Sequence, residues 1–105
     1  MYYKTVAFTS RQRYYLPRLR EIAVVWRTLS TLLPMEEVEH GWRESLKGIP
    51  NYRIKGVTNE RIWYVDTYRR GYYVVTIGDH PAEPCKNLPS AALYLCRMLH
   101  IKPRI

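Results

Sequence analysis

Residues 52–77 read YRIKGVTNERIWYVDTYRRGYYVVTI, with three short runs at 52–57, 61–67 and 72–77 that are rich in β-branched and aromatic residues. Runs this close together pair antiparallel, so the stretch predicts a three-stranded meander whose second turn is marked by Arg70 and Gly71. Alternate residues of a strand share a face. Arg53 and Lys55 therefore project together, opposite Tyr52 and Ile54, and Arg61 shares a face of the next strand with Trp63. His80 lies just past the last run. Gathered by the meander, these groups predict a basic concave sheet surface.

Upstream, Gly48 and Pro50 interrupt the strand pattern, and before them the apolar period lengthens. Leu19, Ile22, Trp26, Leu29 and Leu33 recur every three or four residues, predicting a helix over 12–33 that Pro34 ends. Pro34 also suits the first turn of a second helix over 34–46. There Glu36, Glu37 and Glu39 complement the helix dipole, and Val38, Trp42 and Leu46 form an inward face. Residues 3–8 (YKTVAF) alternate as a first strand, with Ser10 as a cap for the helix after it. Downstream, GDHPAEPCKN at 78–87 reads as a loop; Asn87 as cap, Pro89 and the spacing of Leu88, Ala92, Leu95 and Leu99 predict a closing helix. The expected architecture is α+β, a single domain over 1–105: N-terminal strand, helical hairpin, three-stranded antiparallel meander, C-terminal helix.

The 17 Lys and Arg against 9 Asp and Glu leave a formal charge of +8, which favours a polyanionic partner, RNA first. Glu36, Glu37, Glu39 and Glu44 crowd one segment, whereas the first twenty residues carry no acid. Ten Tyr and three Trp supply rings that can stack on bases, although in strands such residues more often form core and cross-strand pairs. Cys85 and Cys96, with no CxxC and no His at ligand spacing, imply neither a disulfide scaffold nor a metal site. No apolar run approaches the roughly 18 residues that span a bilayer, and MYYKTVAFTSRQR lacks the apolar centre of a signal peptide, so the expected location is the cytoplasm, with no membrane partner. There is no P-loop, GxSxG, HExxH or Cys–His nucleophile pairing, and no cofactor is expected. Metal-free RNA cleavage remains. It needs a base for the 2′-hydroxyl proton, cations for the phosphorane charge and an acid for the leaving oxygen, roles that Arg, Lys and His fill. Singly, a strand cation is ordinarily a solvated charge and a lone loop His a hydrogen-bonded one; the clustering is what points to a site.

Residues 46–80, LKGIPNYRIKGVTNERIWYVDTYRRGYYVVTIGDH, resemble the RelE/ParE superfamily of small toxins from toxin–antitoxin systems, in particular its RelE-type ribosome-dependent mRNA endonucleases. The shared phrases are FTS at 8–10, LKG at 46–48, YRIK at 52–55, RIWY at 61–64 and IGDH at 77–80. The resemblance implies a basic sheet that grips mRNA on the ribosome and cuts it without metal, and a cognate antitoxin protein as partner. Carried over by position, Arg53 and Lys55 would match the family's paired strand cations, Arg61 its phosphate-stabilising arginine and His80 the group closing the last strand; the expected catalytic set is Arg61, His80 and Lys55, with Arg53, Lys47, Arg69, Arg70 and Lys86 expected to bind RNA. One departure is the tyrosine expected soon after the last strand. The loop here reads PAEPCKN, and the nearest tyrosine, Tyr94, falls in the closing helix. Either Lys86 replaces it in part or cleavage is lost. The alternative is a non-catalytic module of a phage or mobile element that binds nucleic acid or protein, including ParE-like inhibition of a host enzyme, with Tyr68 and Tyr72 as interface anchors.

Overall fold

In the computed structural model, which describes residues 7–102, helices α1 (Ser10–Arg13) and α2 (Leu19–Leu32) precede strands β1 (Glu36–Glu44), β2 (Pro50–Thr58), β3 (Arg61–Tyr68), β4 (Tyr72–Ile77) and β5 (Glu83–Cys85), and helix α3 (Leu88–Met98) comes last. The protein is α+β. The strands form one antiparallel sheet in the order β1-β2-β3-β4-β5. The expected meander is its centre, β2 to β4, and one further strand extends it on each side.

Both long helices cover one face of the sheet. Val25 and Leu29 of α2 and Ala91, Leu95 and Cys96 of α3 close over Ile54, Trp63, Val65, Val75 and Ile77, all buried. Trp63 organises the centre. Its indole lies against Gly56, its register partner on β2, where an added Cβ would overlap the ring. Its Nε1 donates to Thr58 Oγ1 at 3.0 Å, and that hydroxyl donates to Pro34 O at 2.8 Å, tying the end of α2 to the sheet. The start of α3 agrees with the sequence: Asn87 Oδ1 accepts the Ser90 N–H at 2.9 Å, and Pro89 sits in the first turn.

Several expectations are corrected. The helix over 34–46 is strand β1, so there is no helical hairpin. Val38 and Trp42, four residues apart, satisfy a helical and a strand period alike; His40 between them decides, because it faces the same way, with its ring against Trp26 and Tyr52. The meander is not three-stranded, because part of the loop after it, Glu83–Cys85, pairs with β4. The helix over 12–33 is interrupted: Pro17 restricts Leu16 and has no N–H to donate, and α2 starts only at Leu19, with Glu21 Oε1 accepting the Arg18 N–H at 3.2 Å. The cap of α1 is Thr9, one residue before Ser10; its hydroxyl accepts the Gln12 N–H at 3.1 Å. Of the strand expected over 3–8, residues 3–6 lie outside the described residues, and Ala7 and Phe8 belong to no regular element.

Candidate nucleic-acid interface

The face of the sheet away from α2 and α3 carries the side chains that alternate with the core. Arg43 stands on β1, Arg53 and Lys55 on β2, Tyr64, Asp66 and Tyr68 on β3, and Tyr72 on β4. At one end of this face the β1–β2 turn, the β3–β4 turn and the segment after α1 converge around a groove of about 600 Å³. Its lining includes Arg43, Lys47, Arg53 and Arg69 together with Tyr15, Leu46, Ile49, Tyr68 and Tyr72. A second hollow shares Tyr15, Lys47 and Ile49 with the groove and adds Arg11. The β1–β2 turn is held rather than loose: Gly48 takes the left-handed conformation its place requires (φ 76), its N–H donates to Ser45 O at 2.9 Å, and its carbonyl accepts Gln12 Nε2 at 3.0 Å. Leu46 at its tip is fully exposed.

The cations of this face differ in what they are free to do. Arg53 donates Nε to Asp66 Oδ1 at 2.7 Å and Nη2 to Oδ2 at 2.9 Å, a bidentate pair, and its guanidinium lies over the Tyr64 ring at 4.4 Å. Asp66 is 4 % exposed. Arg53 therefore spends its planar fork on a carboxylate inside the protein. Lys55 stands 3.9 Å from Glu39, an edge-of-range pair on a partly exposed surface that is worth little. Arg43, Lys47 and Arg69 have no carboxylate partner among the described residues; Arg69 lies over the exposed ring of Tyr14 at 4.7 Å. Burial, with the charge of Asp66 second to it, pushes the Tyr68 hydroxyl above its ordinary pKa, so it stays protonated and able to donate. Tyr68 and Tyr72 form a tilted pair with ring centroids 5.6 Å apart.

The residues singled out from the sequence fall into two groups. Lys47, Arg53 and Arg69 line the groove. Arg70 is exposed in the turn beside Arg69, and Lys86 is exposed at the same end of the sheet, next to Cys85, the partner of Tyr73. Lys55 shares the face of Arg53. Arg61 and His80 lie at the other end, where they line a shallow cleft with Glu60 and Asp79. Arg61 pairs with Thr58, five residues along β2 from Arg53, roughly 16 Å at strand rise, and it points to the helix-covered side with Trp63. Its Nη1 donates to Met98 O at 3.0 Å, closing the C-terminal end of α3. The expected single basic surface is thus divided between two ends and two faces of the sheet.

No protein-family model, curated protein or solved structure matches this chain. Among the described residues no cluster of three or more His, Cys, Asp and Glu side chains is arranged to hold a metal, and no helix is long and apolar enough to cross a membrane. Cys85 and Cys96 are buried free thiols whose pKa values burial pushes up, so neither is set up as a nucleophile. Sequence reasoning missed Arg43, hidden by the helical reading of 34–46, and Tyr15. It also missed Asp66, whose pairing with Arg53 depends on the β2–β3 register.

Proposed function

We propose that this protein is a non-catalytic RNA-binding module that holds a single strand across the open face of its sheet. The observation that carries the reading is the interleaving, in one groove, of exposed or half-buried tyrosine rings (Tyr15, Tyr68, Tyr72) with cations that have no carboxylate partner among the described residues (Arg43, Lys47, Arg69). Rings give any base a stacking surface, and the cations track the phosphates. Fluorescence anisotropy with a single-stranded RNA dodecamer tests it. Three phosphate contacts predict a slope of log affinity against log salt of about −2 for a single strand. No binding at low salt, or affinity indifferent to salt, would sink the reading.

A second reading is a RelE-type toxin that cleaves mRNA on the ribosome and is neutralised by an antitoxin. Arg61 and His80 lining one cleft supports it; their separation from Arg53 and Lys55 does not. His80→Ala is a cleaner test than Arg61→Ala, because Arg61 also closes α3 whereas His80 is exposed. Growth arrest with cuts in ribosome-bound mRNA, abolished by His80→Ala, is the expected outcome of this reading. Unimpaired growth on wild-type expression removes it.

A further inference from the structure

Beneath the groove lies a polar side chain that the binding reading leaves unused. Asn51 is 0 % exposed, and neither its Nδ2 nor its Oδ1 has a hydrogen-bond partner among the described residues. Such orphans are rare, because a buried donor or acceptor that has lost water and gained nothing is destabilising. The other described asparagines, one in a turn and one at a helix cap, spend their amides on backbone: Asn87 Oδ1 accepts the Ser90 N–H at 2.9 Å, and Asn59 Nδ2 donates to Leu99 O at 3.1 Å. Alternation along β2 sets Asn51 on the open face with Arg53. Its register partner on β1 is Arg43, and on β3 its neighbour is Tyr68, next to Thr67, which pairs with Tyr52. Arg43 and Tyr68 both line the groove. The unpaired hydroxyl of Thr67 lies on the helix-covered face and has no such relation to it.

We infer that Asn51 is the specificity-determining residue of the groove, reading adenine. This rests on the RNA-binding reading and adds base selection to it. An amide presents a donor and an acceptor in one plane, the complement of adenine N6 and N7. Tyr68, half-buried on the neighbouring strand, turns aside to stack on the same base, and Arg43 moves onto the adjoining phosphate. Both polar atoms of Asn51 are then satisfied only when RNA is bound.

The experiment compares oligo(A), oligo(U) and an oligomer of 7-deazaadenosine, which lacks the N7 acceptor, by anisotropy competition. The wild-type chain and Asn51→Leu are used, with the melting temperature of each. Wild type should favour oligo(A) over oligo(U) about tenfold and lose that preference on 7-deazaadenosine. Asn51→Leu should bind oligo(A) and oligo(U) alike, with unchanged salt-dependent affinity for oligo(U). Its melting temperature should hold or rise, because an apolar group of similar volume replaces an unpaired amide. Equal wild-type affinity for all three oligomers overturns the inference while leaving the RNA-binding reading in place, and the 7-deaza comparison needs no variant to fold. Retained preference in Asn51→Leu overturns it as well. Absence of binding to any oligomer overturns both.

Discussion

His40 shows how one side chain joins local geometry to a measurable property. Its Nδ1 meets the Tyr52 hydroxyl, its ring packs edge-on to Trp26 with centroids 5.2 Å apart, and burial holds its pKa below the ordinary 6.5. Between the lowered folded value and 6.5 the unfolded chain binds the more protons, so stability rises with pH through that window and is fully present above it. The urea midpoint should therefore fall as pH drops below 6.5, before most carboxylates titrate, and should fall less in His40→Gln. An equally steep fall in the variant would remove His40 from the account. At the same scale Arg53 illustrates a limit of sequence reading. Alternation placed it on the correct face, but its partner, Asp66, is thirteen residues away, and only the β2–β3 register brings them opposite each other.

Elements were legible where one periodicity had no competitor. The meander, with its β-branched and aromatic runs and short turns, and α3, with its Asn87 cap and early Pro89, both stand where the sequence puts them. Segment 36–44 was not legible, because Val38 and Trp42 fit two periods and the glutamates before them imitate a helix N-terminus. The decisive fact is tertiary: β1 pairs along β2 from Glu39↔Lys55 to Glu44↔Pro50. Leu46, which the helical reading turns inward, instead stands fully exposed at the hairpin tip. The candidate site suffered the same way. Arg53 on β2 and Arg69 in the β3–β4 turn line one groove, whereas Arg61 points to the other face, with Trp63 in the core. Two residues apart on one strand, they must point the same way, so the burial of the tryptophan already fixed the side of the arginine. That much could have been read from the sequence; the turn that brings Tyr15 to the groove could not.

At the scale of the whole molecule, the formal charge of +8 and the groove make separable contributions to binding. Net charge raises encounter with any polyanion from every side, and salt screens it over about 10 Å at 0.1 M. A site adds contacts at fixed positions, so charge-matched variants distinguish the two. Arg43→Glu with Arg69→Glu alters the groove, whereas Arg20→Glu with Arg27→Glu alters exposed positions of α2 on the helix-covered side. Each exchange removes two charges, so either double variant carries +4 in place of +8. If RNA lies across the open face, the groove pair should cost at least about tenfold more affinity than the α2 pair at 0.1 M salt, and it alone should make the salt slope shallower by about 0.7 per lost phosphate contact. Equal losses would assign the binding to the overall field of a basic protein and deny the sheet face any special part in it.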